Sequence, residues 1–359
     1  MITLISYLIL FSHGFFITLG KTKGVYGVDE IICNYYGNID TMCNSKSIMN
    51  VSLIPDQCQG VAFESFIIDI NNTIYHLQET DFLERLFTIR KNVYVYMGYT
   101  SYDQWSKSLN NFHQNSNKII RMFRNFLYKY FVRGIIFTQL DPWEVVSMDG
   151  FSAKLHYFMQ NLKDSFPYLK LGINIDWTSY KYYNDPTYYD FNYLNEAADF
   201  FVLRLDQMNF CYEDYHNGIN ILDDVYIVVT IKNVVKAIRE SAIDLRKLYF
   251  YLDYSPSVTT FIGNNVETLC RSYEEVCMNP NEICNWCVDT VNTLYEKGAF
   301  LKNHAQGLVL SFIDLDAFDN TWCSCGKSFP GFHAVLNGWN NESVDSINKC
   351  SLFDRSACI

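Results

Sequence analysis

Asn92-Val-Tyr-Val-Tyr-Met-Gly98, Ile119-Ile-Arg-Met-Phe-Arg-Asn-Phe-Leu-Tyr-Lys-Tyr130 and Gly134-Ile-Ile-Phe-Thr-Gln-Leu140, taken together, decide the fold of this chain. The first and third are short, β-rich and nearly continuous in apolar residues, as parallel strands buried on both faces are. Between them Ile119, Phe123, Phe126, Leu127 and Tyr130 recur on one face of a helix, whose start Asn115 or Ser116 can cap. Strand, helix and strand in that order form a crossover unit.

The same alternation extends in both directions. Further strand-like runs are Glu30–Tyr36, Gly60–Ile70, Lys170–Asp176, Phe200–Leu205, Lys247–Leu252 and Gly307–Ile313, making eight in all. Phe151, Leu155, Phe158, Met159 and Phe166 stripe a second helix, with Asp149 upstream as a cap. Val288, Val291, Leu294 and Tyr295 mark a third, which is expected to end near Gly298. Strand-then-helix repeated about eight times predicts an α/β chain folded as one (β/α)8 TIM barrel. Its site should lie at the C-terminal ends of the strands.

The rest of the chain points to export. Residues 1–20 read as a signal peptide: Ile2 to Leu19 is almost wholly apolar, Lys21 and Lys23 follow, and Thr18 and Gly20 supply small residues for cleavage. A retained signal anchor is the rival reading. Residues 21–359 then form the barrel domain. All twelve cysteines lie after Gly20, an even number that implies a disulfide framework in an oxidising compartment. Asn50, Asn71 and Asn341 each begin an N-x-Ser/Thr sequon, so glycosylation is expected at all three. A net charge of −11 argues against nucleic acid as a partner. No later segment is long and apolar enough to cross a membrane. The histidines show no metal-ligand spacing, and no cofactor motif is present.

Several short motifs, in order along nearly all of the mature chain, resemble the family 18 glycoside hydrolases, the chitinases and chitinase-like lectins. Ile31-Ile-Cys-Asn-Tyr-Tyr36 is similar to that family's V-C-Y-Y first strand, and Ile54-Pro-Asp-Gln-Cys58 to its D-P-x-x-C segment. Val93-Tyr-Val-Tyr-Met-Gly98 resembles K-V-L-L-S-I-G-G, and Phe126 to Ile135 resembles F-L-x-x-Y-x-F-D-G-I. Asp199-Phe-Phe201 is similar to D-F-I, and Gly307-Leu-Val-Leu-Ser-Phe-Ile-Asp-Leu-Asp-Ala-Phe318 to G-x-M-x-W-S-L-D-L-D-D-F. The resemblance implies a Cys33–Cys58 disulfide. Through Ser272-Tyr-Glu-Glu-Val-Cys277 it also implies a bond from Cys277 to Cys323 or Cys325. Between Tyr254 and Ala305 it implies a shortened form of the α+β insert that follows strand seven in that family.

Hydrolysis in that family is substrate-assisted: a Glu in D-G-x-D-x-D-x-E protonates the leaving oxygen while a neighbouring Asp orients the acetamide. Aligned on Gly134, Arg133 takes the first Asp, Ile136 the second, Thr138 the third and Leu140 the catalytic Glu. Leucine has no proton to donate, so no catalytic residue is expected there. Asp141-Pro-Trp-Glu144 imitates the D-W-E ending, which keeps Glu144 as a candidate acid if the strand shifts by four residues. Pro142, however, suits a loop past the strand. The strand-eight Trp aligns with Ser311, and the M-x-Y-D element with Leu203-Arg-Leu-Asp206.

These departures leave Tyr96, Tyr99, Trp143, Asp176, Trp177 and Asp206 as candidate ligand-binding residues. Arg133 and Arg204 are expected to carry charge toward the mouth, with Asp176 and Asp206 as partners. The sequence therefore predicts a secreted chitinase-like protein without activity, binding chitin or another N-acetylglucosamine-containing glycan. Its alternatives are an active glycosidase using Glu144 and a protein-binding barrel with no sugar affinity.

Overall fold

All eight predicted strands form. The structure, a computed structural model, describes residues 27–37, 48–76, 81–141, 150–206, 208, 218–223, 229–262, 265–270, 272–278, 287–319 and 325–344. The signal segment, Trp143, Glu144 and Cys323 lie outside these residues. The strands are β1 (Ile31–Tyr35), β2 (Gly60–Ile68), β4 (Asn92–Tyr99), β5 (Gly134–Phe137), β6 (Lys170–Asp176), β7 (Phe200–Arg204), β8 (Leu248–Leu252) and β11 (Gly307–Leu310). They are parallel and run in that order, and β11 closes on β1 with Val309 beside Ile32. A short β3 (Ile74–His76) returns antiparallel along β2.

Helices cover the outside: α1 (Asp81–Leu86), α2 (Tyr102–Asn110), α3 (Phe112–Lys129), α4 (Phe151–Ser165), α5 (Phe191–Ala197), α6 (Ile231–Glu240), α7 (Tyr273–Met278), α8 (Val291–Lys302) and α9 (Pro330–Asn340). Two predicted helix bounds move. α3 starts at Phe112 rather than at a cap on Asn115 or Ser116, because Phe112 is buried edge-on against Phe158 and packing overrides the capping preference. α8 runs through Gly298 instead of ending there. Gly298 lies against the Val335 carbonyl and Gly338 against that of Tyr295, so two glycines let α8 and α9 cross at backbone contact.

Inward and outward residues alternate along each strand. On β4, Tyr94 and Tyr96 join the core inside the barrel, while Val93, Val95, Met97 and Tyr99 join the core under the helices. Much of the 17% aromatic content serves this outer layer, where Trp105, Phe112, Phe123, Phe137 and Phe158 pack mostly edge to face. Strand stagger groups the inward residues of alternate strands into layers. At the floor, large rings meet glycines. Tyr94 fills the space that a Cβ at Gly60 or Gly134 would need, Phe200 that at Gly172, and Tyr249 that at Gly307.

After β8 the expected shortened insert is a hairpin, β9 (Ser257–Ile262) with β10 (Asn265–Cys270), followed by α7. Cys33 and Cys58 are bonded, as the resemblance implied. Cys277, Cys287 and Cys325 are each in disulfides as well. Asn50, Asn71 and Asn341 are all exposed.

The floor packing makes a direct prediction. Gly307→Ala forces its methyl into the Tyr249 ring and the Glu30 carbonyl at once. It should lower unfolding free energy by about 1–3 kcal/mol, read by urea denaturation.

Candidate functional site

The barrel mouth is polar where the floor is aromatic. Counting inward positions along each strand brings Asn34, Tyr96, Asn174 and Tyr251 to one layer, from alternate strands. The next layer up holds Glu64, Thr138, Arg204 and Ser311, and Asp253 stands above Tyr251. Asn34 Nδ2 donates to Glu64 Oε1 at 2.8 Å and to the Tyr251 hydroxyl at 3.3 Å. Arg204 grips Asp206 with two bonds, 2.8 and 2.6 Å, and its guanidinium lies 5.1 Å from the Tyr251 ring centre. Asp253 accepts from Ser255 Oγ and Ser311 Oγ, each at 2.6 Å.

Among the described residues, three buried polar atoms in the lower layer have no hydrogen-bond partner: Asn34 Oδ1, Asn174 Oδ1 and the Tyr96 hydroxyl. Buried polar groups are rarely left unmade, and a buried water is the expected partner for this layer. Burial raises the Glu64 pKa, opposed by the nearby Arg204 charge and the Asn34 bond. Burial likewise raises Asp253. Glu64 is only partly buried and Arg204 and Asp206 keep some exposure, so solvent reaches this constellation.

The predicted site residues scatter around it. Tyr96 does point into the lumen. Tyr99 does not: an odd number of residues further along β4, it faces the helices, meets Trp105 edge-on and donates to Asn72 Oδ1 at 2.8 Å. It lines no groove. Asp206 pairs with Arg204, as expected. Asp176 instead caps the turn after β6, accepting from Thr178 N at 2.9 Å and Thr178 Oγ1 at 2.8 Å. Trp177 fastens that turn to β7 by donating to the Asp206 carbonyl at 2.7 Å, with its ring packed on the outer core.

Arg133 does not charge the mouth. It precedes β5 and donates to the carbonyls of Tyr168 and Gly27 at the opposite end of the barrel. Leu140 is buried in the outer core, because β5 ends at Phe137 and Gln139 turns the chain with φ 59°. Asp141 follows it and accepts from Tyr189 Oη, Ser179 Oγ (3.4 Å) and Asp176 N (3.3 Å). Burial pushes its pKa up to about 6. Among the described residues no cluster of His, Cys, Asp and Glu could hold a metal ion.

This parallel eight-stranded barrel, with a hairpin-and-helix insert after its seventh strand, has the fold of solved chitinases and chitinase-like proteins. The group II chitinase catalytic domain 2 of Ostrinia furnacalis superposes at TM-score 0.69 with 13% identity, over 88% of this chain and 97% of that one. The immunomodulatory active chitinase of Trichuris suis gives 0.69 with 14% identity over 86% and 98%. Human YKL-39, described as a pseudo-chitinase with retained chitooligosaccharide binding properties, gives 0.66 with 12% identity over 87% and 99%. No protein-family profile matches the sequence, and no curated protein matches it.

The Asp-Leu-Asp stretch that carried much of the sequence resemblance has a structural role. Asp314 accepts from Tyr36 N (3.1 Å) and Gly37 N (2.8 Å), pinning the end of β1. Asp316 accepts from Ala317 N (2.8 Å), Phe332 N (2.8 Å) and Gly331 N (3.4 Å), fixing the start of α9. Burial nevertheless raises Asp314 to about 6 and Asp316 to about 7. Both exceed the unfolded value near 4, so their stabilising protons are held at low pH and lost as pH rises through 6 to 7. His333 works in the opposite sense: burial lowers it to about 4, so stability is lost as pH falls from about 6.5. His76 and His304 are lowered by burial as well, but the buried carboxyls raised by it, Glu64, Asp141, Asp253, Asp289, Asp314 and Asp316, outweigh the three imidazoles. The melting temperature should therefore be higher at pH 5.5 than at 7.5. Asp316→Asn, whose amide oxygen can serve Ala317 N and Gly331 N while its amide nitrogen faces Phe332 N, should lower the melting temperature and flatten that slope.

Proposed function

We propose that this protein is a secreted chitinase-like barrel that binds amino-sugar glycans at its mouth without hydrolysing them. The observation that carries this reading is the state of the mouth carboxylates. Asp206 is held by Arg204, Asp253 by two serines, Asp176 by Thr178 and Glu64 by Asn34. Among the described residues, none of these carboxylates stands on β5, where substrate-assisted cleavage of the family kind needs its acid. The same groups suit binding. Sugar hydroxyls and amides are donors as well as acceptors, and the mouth offers the partly exposed Glu64, Arg204 and Asp206 above the lower layer. YKL-39 supplies the precedent of a barrel of this fold described as keeping chitooligosaccharide binding as a pseudo-chitinase. Export is supported by the apolar amino-terminal segment, the disulfides and three exposed sequons.

Calorimetric titration with chitotetraose and chitohexaose tests the binding. Saturable heat is expected, reduced about tenfold in affinity by Glu64→Gln, which breaks one charge-assisted bond. No heat with any amino-sugar oligomer would sink the glycan reading. A fluorogenic chitobioside tests the chemistry: no turnover is expected, and turnover abolished by Glu144→Gln would establish a working glycosidase instead.

A further inference from the structure

The opposite end of the barrel carries a second concave surface. A groove of about 660 Å3 opens between the end of α3, the turn into β5, the end of α4 and the start of β4. Its rim displays Tyr128, Phe131 and Tyr168, which are 75%, 81% and 55% exposed. Large rings left this open to water cost solvation, and their clustering marks a surface that something covers. Below them Leu127, Val132 and Phe166 form a buried apolar floor.

The charge around the groove opposes that of the whole molecule. The chain carries −11, yet the lining includes Lys91, Arg124 and Arg133 and no carboxylate. Two of these cations are committed to backbone carbonyls, Lys91 to those of Pro55 and Cys58, and Arg133 to those of Tyr168 and Gly27. They stay in place and supply a fixed positive field. Arg124 is exposed on α3 with no hydrogen bond or ion pair among the described residues, so its guanidinium is available to an incoming anion.

We propose that this groove is a binding site for a small anionic amphiphile, a long-chain carboxylate. Its chain lies across Phe131 and the apolar floor, and its head group meets Arg124. The volume is that of a small-molecule site, and the concave apolar floor favours an inserted chain over a flat contact. The site is independent of the glycan reading, because it lies at the other pole of the barrel.

Calorimetry of the full secreted protein with sodium dodecanoate, below its micelle concentration, should show one saturable site. Dodecyltrimethylammonium, with the same chain and opposite charge, should bind about tenfold more weakly or not at all. Phe131→Ser should weaken dodecanoate about tenfold by removing most of the chain contact. Arg124→Glu should weaken dodecanoate while sparing the cationic analogue. Both side chains are exposed, so unchanged melting temperatures and chitooligosaccharide binding would confirm that the variants are folded. The proposal is overturned by absence of saturable dodecanoate heat, by equal binding of the two amphiphiles, or by wild-type affinity in both variants. Association with anionic vesicles alone would make the face a membrane contact and overturn it too. So would a dimer in sedimentation that Phe131→Ser dissociates, which would make it a self-contact.

Discussion

Eight staggered strands close on a lumen of fixed width, and every inward side chain has to share it. That constraint orders the molecule from floor to mouth. At the floor, Tyr94, Phe200 and Tyr249 are accommodated only because Gly60, Gly134, Gly172 and Gly307 face them without a Cβ. Above lies an aliphatic layer with Ala62, Ile136, Val202 and Val309. Because this plug excludes water from below, the polar groups stacked on it sit in a medium of lowered dielectric, where their mutual interactions are strengthened. The raised pKa of Glu64 and the paired state of Arg204 with Asp206 both follow from where the plug stops.

The fold was legible because it rests on redundant signals. Eight apolar runs and the helical stripes between them each predicted the same architecture, and an error of two residues at any end changed nothing. The site was less legible because it depends on parity, not on residue type. Tyr96 and Tyr99 look alike in sequence and lie on opposite faces of β4. Leu140 shares parity with Ile136 on paper, but the left-handed turn at Gln139 sends it into the outer core. Glu64 was available by the same count, two residues after inward Ala62 in Gly60-Val-Ala-Phe-Glu64. A lone carboxylate in an apolar strand draws no motif match, so it passed unnoticed. Gly298 read as a helix stop because a tertiary crossing against α9 leaves no local trace.

Very little identity is needed to hold this frame. At 12–14% identity the barrel still superposes over more than 85% of the chain. What is shared with those structures is the barrel itself, and in this chain the barrel rests on packing: glycines opposite rings inside it and apolar outward faces. The Asp314 and Asp316 pair shows how a motif can persist for such reasons. Its carboxylates are consumed by backbone N–H groups that fasten β1 and α9, and replacing either would loosen the barrel whether or not the mouth performs chemistry.

Glu64 is where binding and catalysis can be weighed against each other. A half-buried carboxyl with a raised pKa has the property a general acid needs. Its surroundings work against that use. Asn34 donates to it, and a hydrogen bond from a donor favours the ionised form, as does the Arg204 charge. A proton held there would have to be released to a leaving oxygen, yet the Tyr96 and Tyr251 rings fill the layer beneath and block deeper entry of a sugar. With Asn34 and Arg204 both opposing the upward shift from burial, Glu64 is placed to accept hydrogen bonds from hydroxyls or amides that rest on it. That arrangement would stabilise a bound ring as a whole instead of the separation of charge at one of its bonds, which is what the proposed binding without turnover requires.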